Sequence, residues 1–428
     1  MVNCFDEMLK STMDIIAIDT VQDIPCKESP FGKGVASCIE KVLNIAKENG
    51  FVVHNEEGYY GTAIIGKGEE FGILGHLDTV PYEKKDWTHS PLGEIDNGII
   101  YGRGILDDKG PMMACLYSVI QLLREGYTPK KKIKFIFGGN EESGWKCIER
   151  YNQLEKMPDT GISPDADFPV INCEKGISEI KVKYPLPKKL LYLNGGTRSN
   201  IVMDHCQAIY DDVLSFSNDS NLTIKIENGK TYISSIGKPA HGSLPSLGDN
   251  ALWHILKYLA QFDSDINKLT ALICHIDGSG VDLKLSDNVS GPLSFNTGVV
   301  KTIENQLEFT FDIRFPISYK KEFIRDKVSE AFKSSAHISH FHDPLYVDKN
   351  DNLVVSLCAA YARVTNENLE PITIGGGTYA RALKHGVAFG PIFPNQESTI
   401  HQANERESIK DFKKMYDIYY EAIKNICF

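Results

Sequence analysis

Two short apolar runs with an amphipathic segment between them constrain the fold of this chain most strongly. The runs "FGILGHLDTVP" (71–81) and "KKIKFIFGGN" (131–140) each read as a buried strand, and "GPMMACLYSVIQLLREGY" (110–127) has an apolar face at helical spacing. Strand, helix and strand in this order predict an open α/β sheet. Polar residues follow each strand, at the edge where such sheets bind ligands.

The length and the change of pattern along the chain predict two domains. A chain of 428 residues is too long for a typical single hydrophobic core. Near residue 181 the pattern changes to period-2 alternation, which predicts a second α/β module with antiparallel strands, and near residue 350 the helix and strand pattern returns. We therefore expect three segments, 1–180, 181–347 and 348–428, of which the middle one forms the second domain.

Composition excludes several classes of function. The net charge of -11 argues against a nucleic-acid partner. No stretch approaches the roughly 20 apolar residues that span a bilayer, and the N-terminal sequence lacks the layout of a signal peptide, so we expect a cytosolic protein with no membrane partner. The 10 cysteines include no C-x-x-C pair, which favours neither a disulfide framework nor a thiolate zinc site.

Three polar sites lie at the ends of predicted elements, and the first two have two readings each. His76 and Asp78 leave the same face of a strand end, as a hydrogen-bonded pair or as a metal ligand with its orienting partner. Asp107 lies between glycines before a helix, as an N-cap or as a carboxylate that bridges two metals. "SPDADFP" offers Asp165 or Asp167 as a further oxygen ligand.

The stretch "GGNEESGW" places Glu141 beside Glu142 after the second strand. A solvated loop is one reading. In the other, adjacent residues of an extended backbone face opposite ways, so that one glutamate binds a metal while the other acts as a base. With His401 in "STIHQANE" the candidates form a mixed nitrogen and oxygen set, which suits Zn²⁺, with Mn²⁺ or Co²⁺ as alternatives.

The strings "GHLDTVP", "YGRGILDDKGP", "GGNEESGW", "SPDADFP", "IGGGTYAR" and "HQANE" together resemble the cocatalytic zinc peptidase/acylase family. That family includes aminoacylases, carboxypeptidase G, carnosinases and bacterial dipeptidases, and the resemblance is nearest to the PepV-type dipeptidases. It implies an α/β fold of two domains: a mixed-sheet catalytic domain interrupted by an inserted α/β lid. It also implies hydrolysis of dipeptides, with two Zn²⁺ as cofactors.

The resemblance assigns roles to the candidates. It implies that His76 and Asp165 bind one zinc, that Glu142 and His401 bind the other, and that Asp107 bridges the two. It also implies that the peptide bond after Asp107 is cis. It implies that Glu141 is the general base and that Asp78 supports the first metal site. The expected metal ligands are therefore His76, Asp107, Glu142, Asp165 and His401, and the expected catalytic residues are Glu141, Asp78 and, in the lid, His241.

The resemblance also assigns roles to residues of the lid and to two glycines of the 348–428 segment. His241 in "GKPAHGS" is expected to stabilise the oxyanion, or else to be a turn histidine; Arg314 is expected to bind a substrate carboxylate, or else to lie on a solvated strand face. Asn200, Gly376 and Gly377 are expected to contact substrate, the glycines through their backbone, although a plain tight turn would also explain them.

Three functions remain in competition after the resemblance. The first is a dipeptidase, the second an amidohydrolase of N-acyl amino acids with the same site, and the third a binder without catalysis, which the intact Glu141 disfavours. An acidic residue that binds the free amine of a substrate would separate the first two, and Asp78 and Asp108 are the candidates. The resemblance favours a monomer, with a homodimer as the alternative.

Overall fold

The computed structural model describes residues 4–428, which divide into two compact units. The first unit comprises residues 4–172, Val347–Ile372 and Thr378–Phe428, and the second comprises Cys173–Tyr346 and Thr373–Gly377. Both contain helices and sheets, so the α/β fold class with an inserted second domain is confirmed.

The units divide at places that differ in detail from those expected. The second unit begins at Cys173 rather than at residue 181, because the long strand that starts at Gly176 already pairs with strands of that unit. The segment Thr373–Gly377, which includes Gly376 and Gly377, also belongs to the second unit. The roles of the units as catalytic and lid domains stay predictions.

The helices are α1 (Phe5–Ile16), α2 (Lys33–Glu48), α3 (Lys109–Arg124), α4 (Lys146–Leu154), α5 (Ala251–Leu259), α6 (Ser264–Ile273), α7 (Lys321–Phe332), α8 (Asn352–Thr365) and α9 (Ile409–Cys427). The strands are β1 (Val52–Glu56), β2 (Tyr60–Ile65), β3 (Glu70–His76), β4 (Glu94–Asp96), β5 (Ile99–Tyr101), β6 (Lys132–Gly138), β7 (Thr160–Ser163), β8 (Ala166–Asp167), β9 (Ile171–Glu174), β10 (Gly176–Pro185), β11 (Leu190–Gly195), β12 (His205–Tyr210), β13 (Leu222–Glu227), β14 (Lys230–Ile236), β15 (Ser286–Asp287), β16 (Gly291–Pro292), β17 (Ser294–Ile303), β18 (Gln306–Phe315), β19 (His337–His342), β20 (Leu345–Tyr346), β21 (Ile372–Ile374), β22 (His385–Ala388), β23 (Pro391–Ile392) and β24 (Arg406–Ser408).

The main sheet of the first unit brings the candidate residues to one edge. Its strands follow the order β1-β2-β6-β3-β7-β22-β9, and β6, β3, β7 and β22 run parallel to one another. Because parallel strands end at the same edge, the residues after β3, β6 and β7 lie close together. Those are His76 with Asp78, then Glu141 with Glu142, then Asp165.

The second unit is built on an antiparallel sheet in the order β13-β14-β12-β11-β17-β18-β10-β19. Strand β10 pairs with β18 over ten residues, from Gly176 opposite Phe315 to Pro185 opposite Gln306. Helices α5, α6 and α7 contribute buried apolar residues to a core with this sheet, separate from the core of the first unit. Two separate cores agree with the expectation from chain length.

Two further observations concern the whole described chain. All ten cysteines are free thiols, in line with the absence of C-x-x-C pairs. Within residues 4–428, none of the helices combines the length and the apolar character that crossing a membrane requires.

Candidate metal centre

His76, the last residue of β3, is fully buried and its tautomer is fixed by the backbone. Its Nδ1 lies 2.9 Å from the carbonyl oxygen of Asp78. A carbonyl oxygen only accepts hydrogen bonds, so Nδ1 carries the proton and the lone pair of neutral His76 is on Nε2. That nitrogen lies 2.9 Å from Oδ1 of Asp107. A lone pair facing a carboxylate at this distance requires a proton or a metal ion between the two atoms.

The carboxylate of Asp78 fixes the turn that carries the two glutamates. Its Oδ1 accepts the backbone N–H of Glu141 at 3.0 Å, and its Oδ2 accepts that of Glu142 at 3.2 Å. The turn spans 141–144, after β6 has ended at Gly138. The expectation that these glutamates lie in extended backbone is therefore wrong: a turn held by Asp78, and not strand alternation, sets the positions of the two side chains.

The two carboxylate oxygens of Asp107 face two different groups of ligand atoms. Oδ1 lies 2.9 Å from Nε2 of His76, and Nε2 of His76 lies 3.7 Å from Oδ2 of Asp165. Oδ2 of Asp107 lies 2.8 Å from Nε2 of His401, which lies 3.0 Å from Oε1 of Glu142. The peptide bond between Asp107 and Asp108 is cis, as the resemblance implies.

The charges at this centre fit divalent cations. Five carboxylates meet only two imidazoles, so negative charge remains in excess even when both histidines are protonated; the carboxylates are those of Asp78, Asp107, Glu141, Glu142 and Asp165. Burial raises the pKa of Asp165 well above its ordinary value, and the charge of Asp107 raises it further. Buried charge in excess is costly unless a cation compensates it. The nitrogen and oxygen donors suit zinc and similar metals.

The same carboxylates raise the pKa of both histidines and so favour the charged form of each imidazole. Burial alone would lower the pKa of His401, but its contacts with Asp107 and Glu142 raise it to about 10. Burial likewise opposes protonation of His76, while hydrogen bonds to Asp107 and Asp78 raise its pKa well above 6.5. Both imidazoles therefore favour a positive partner at Nε2, which a metal ion would supply in place of a proton.

Glu141 lies beside these candidate ligands, and its carboxylate accepts a hydrogen bond from a tryptophan. Burial raises its pKa to about 7, with the charge of His76 acting in the other direction. Its Oε1 accepts the indole N–H of Trp145 at 3.0 Å. The Trp145 ring packs edge-on against Tyr379, with centroids 4.9 Å apart. Sequence reasoning missed Trp145, since its orientation depends on a left-handed backbone (φ 61°) at that residue.

We expect Trp145→Phe to lower kcat for the dipeptide hydrolysis that the resemblance implies by about tenfold, without changing the amount of metal bound. Phenylalanine keeps an aromatic ring against Tyr379 and removes the N–H that holds Oε1 of Glu141. A hydrogen bond to a charged group contributes about 1.5–3 kcal/mol, and about 1.4 kcal/mol corresponds to tenfold in rate. The measurement is kcat with bound metal quantified in the same samples. Trp253→Phe, in the second unit, is the control, and an equal loss in both variants would contradict the role of Trp145.

A buried ion pair joins the two loops that carry Asp107 and His401. Glu405 is fully buried and accepts the guanidinium N–H of Arg103 at 2.6 Å and the backbone N–H groups of Gly104 and Leu106 at 3.1 and 2.9 Å. Arg103 also donates to the carbonyl of Gln402 at 3.1 Å. Sequence reasoning missed this pair, whose members are 302 positions apart.

The predicted residues of the second unit include a histidine whose tautomer is also fixed. Nδ1 of His241 accepts the backbone N–H of Ser243 at 3.2 Å and lies 2.7 Å from the Ser243 hydroxyl. Because a backbone N–H only donates, Nδ1 holds the lone pair and Nε2 carries the proton. Burial and the charge of Arg314 lower the pKa of His241. His241 is therefore a neutral side chain that presents an N–H donor.

Arg314 is buried rather than on a solvated face. Asp312 accepts its Nε–H and an Nη2–H, both at 2.8 Å, and the carbonyl of Gly375 accepts an Nη1–H at 3.0 Å. These bonds leave two of the five N–H groups of a guanidinium for another partner. Binding of a substrate carboxylate by Arg314 stays a prediction, with a fixed side chain in its favour.

Asn200, Gly376 and Gly377 lie at the surface of the second unit. Asn200 is exposed, and its carbonyl accepts the N–H of Gly242 at 2.7 Å, next to His241. A Cβ added to Gly376 would meet Cδ1 of Ile374 at 3.5 Å, an ordinary van der Waals distance. Packing within the protein therefore does not demand glycine there, and backbone contact of Gly376 and Gly377 with a substrate stays a prediction.

We expect Ser243→Ala to lower kcat by about 2- to 10-fold, because His241 loses one of the two groups that hold Nδ1. A neutral hydrogen bond contributes about 0.5–1.5 kcal/mol. Ser243→Thr keeps the hydroxyl and should restore most of the rate. Steady-state kinetics of the two variants test this expectation, and a Thr variant as slow as the Ala variant would argue that packing, not the hydroxyl, matters.

The two acids expected to bind a substrate amine are both buried, so that expectation is wrong. Both oxygens of Asp78 bind backbone N–H groups. Asp108 is fully buried, its Oδ2 accepts the N–H of His76 at 3.3 Å, and burial raises its pKa well above the ordinary value. Neither carboxylate is open to an ammonium group.

Comparisons with known proteins find relatives and similar folds over nearly the whole chain. The protein named "Putative dipeptidase YtjP" of Bacillus subtilis (strain 168) is 34% identical over 451 residues, covering 98% of this chain and 96% of that protein. The crystal structure of human carnosine dipeptidase 1 has a TM-score of 0.59 at 14% identity, covering 99% of this chain and 97% of the other. Aminoacylhistidine dipeptidase of Vibrio alginolyticus has a TM-score of 0.60 at 14% identity, covering 98% and 96%. At these identities the two structures show the shared fold.

A family model described as "Peptidase family M20/M25/M40" matches residues 72–425, a span that contains every proposed metal ligand. The resemblance to the zinc peptidase/acylase family is thereby confirmed at the level of the family, while the PepV-type branch stays a prediction. The match of the family model to residues 72–425 and a relative that is 34% identical over 98% of this chain lead to one conclusion: this chain belongs to peptidase family M20/M25/M40.

Proposed function

We propose that this protein is a metal-dependent dipeptidase with a centre for two Zn²⁺ ions, for which Mn²⁺ or Co²⁺ could substitute. The observation that carries the proposal is the division of Asp107, whose Oδ1 faces His76 and whose Oδ2 faces His401. His76 and Asp165 would hold one ion, Glu142 and His401 the other, and Asp107 both. When bound, the ions polarise the scissile carbonyl and make the attacking water more acidic.

The residues of this chain supply the proton transfers. Glu141 takes a proton from the attacking water and later delivers it to the nitrogen of the departing amine. Trp145 holds Oε1 of that glutamate, and Asp78 holds its backbone, so that the carboxylate stays beside Glu142. The neutral His241, with its N–H on Nε2, is suited to donate to the oxyanion that develops on the substrate.

The choice of dipeptides over N-acyl amino acids rests on relatives. The Bacillus subtilis relative is named as a dipeptidase and aligns with this chain over nearly its whole length. The same holds for a Staphylococcus aureus (strain USA300) protein, "Putative dipeptidase SAUSA300_1697", at 33% identity. The free thiols of all ten cysteines support the expected cytosolic location. A monomer remains the expected state, with a homodimer as the alternative.

Hydrolysis of Leu-Leu and of N-acetyl-methionine, before chelation, after chelation and after Zn²⁺ or Mn²⁺ is restored, tests the proposal. We expect cleavage of Leu-Leu that chelation removes, that metal restores, and that Glu141→Ala abolishes. Cleavage of N-acetyl-methionine alone would keep the mechanism and replace the substrate with an N-acyl amino acid. Metal binding without cleavage of either substrate would favour a binding protein.

A further inference from the structure

A surface cavity of about 550 Å³, open to solvent, adjoins Glu142 and is lined in part by the N-terminal segment of the chain. Ile24 and Pro81 give it an apolar wall, and Asp23 lies in its lining. The volume lies within the range of about 300–1,000 Å³ typical of small-molecule sites. The roles assigned above use Glu142 but none of the other residues around this cavity.

The lining of the cavity is negatively charged, and one of its carboxylates has no ion-pair partner among the described residues. Among the described residues that line it, the charged ones are Asp23 and Glu142, and none is basic. Glu142 is engaged with His401 and belongs to the metal centre. Asp23 is exposed and belongs to no ion pair among the described residues, so its carboxylate is open to a cation.

The segment that carries Asp23 is attached to the turn that carries the glutamates. Oε1 of Gln22 accepts the side-chain N–H of Asn140 at 3.3 Å and the hydroxyl of Ser143. Val21 forms a parallel bridge with Thr79, and the N–H of Asp23 donates to the carbonyl of Phe31 at 3.1 Å. Asp23 therefore has a fixed position relative to Glu141 and Glu142.

We propose that Asp23 binds the free α-ammonium group of the substrate and that the N-terminal side chain of the substrate occupies this cavity. The inference rests on the proposed dipeptidase function and names the group that separates dipeptides from N-acyl amino acids. An α-amino group, with an ordinary pKa of about 7.7–8.0, is mostly protonated at pH 7. An N-acyl nitrogen carries no charge and gains nothing from Asp23.

The test compares two substrates that differ only in the amine: Leu-Leu and 4-methylpentanoyl-leucine. The wild-type protein, loaded with Zn²⁺, should prefer Leu-Leu. Asp23→Asn should raise KM for Leu-Leu and leave the des-amino substrate unchanged, so that the preference falls by about tenfold, the effect of one charge-assisted hydrogen bond. Asp23→Lys should reduce the preference further. Glu28→Gln, an exposed acid of the same loop, is the control.

Each outcome has a defined meaning. An equal loss on both substrates in Asp23→Asn would show a structural role and overturn the inference, as would an unchanged preference. Thermal unfolding of each variant identifies any loss of fold. A wild-type protein that binds Zn²⁺ but cleaves no dipeptide would overturn the proposed function and this inference with it, and that result is distinct because it appears before any substitution is made.

Discussion

Glu141→Gln should lower kcat for dipeptide hydrolysis by about 10³-fold and leave the metal content unchanged. Glutamine has the same shape, and its carbonyl oxygen can still accept the indole N–H of Trp145, but it cannot take a proton from water. General-base catalysis contributes about 10²–10⁴-fold to rates. The measurement is kcat together with metal bound per chain after gel filtration.

The same substitution at the neighbouring Glu142 should have a different effect. Glu142→Gln removes an oxygen that lies 3.0 Å from Nε2 of His401, so metal content should fall together with activity. Glu149→Gln, on the exposed face of α4, should change neither quantity. Loss of metal in Glu141→Gln, or full activity in that variant, would contradict the division of roles between the two glutamates.

The parts of the site that sequence reasoning could predict are those set by local patterns. The strands β3 and β6 with α3 between them follow from apolar periodicity, and the polar residues after each strand follow from the parallel arrangement. The two-unit organisation follows from the change to period-2 alternation. The family match covers the residues that these patterns had already selected.

The parts that it could not predict depend on contacts or backbone angles without a local signature. The ion pair of Arg103 with Glu405 joins residues 302 positions apart. Trp145 donates to Glu141 from a position whose own backbone is left-handed. Asp78 makes two contacts through different atoms, which its sequence position does not reveal. Its backbone carbonyl accepts a hydrogen bond from His76, and its carboxylate binds the turn after β6. Asp312 is different, because the D-x-R spacing within β18 was visible in "FDIRFP".

Asp165→Asn should make the metal-free protein more stable and its binding of Zn²⁺ weaker. Asp165→Asn removes one buried negative charge from a centre in which carboxylates exceed imidazoles. The metal-free protein should gain free energy of unfolding on the order of 1 kcal/mol, the scale of one unit of pKa. The same charge is needed when cations are bound, so the variant should bind Zn²⁺ at least about tenfold more weakly and lose most of its activity.

Thermal unfolding with and without Zn²⁺ measures both effects at once, since a ligand that binds only the folded state stabilises it by about 2.7 kcal/mol at 100 times its Kd. Wild-type protein should unfold at a clearly higher temperature with Zn²⁺, and Asp165→Asn should respond much less while starting from a higher metal-free value. Asp167→Asn is the matched control, because Asp167 was the other acid of "SPDADFP" and lies in β8, paired with Ile392. A full response to Zn²⁺ in Asp165→Asn, or its loss in Asp167→Asn, would assign the ligand to Asp167. A metal-free Asp165→Asn protein less stable than wild type would contradict the account of this centre as an excess of buried negative charge that cations compensate.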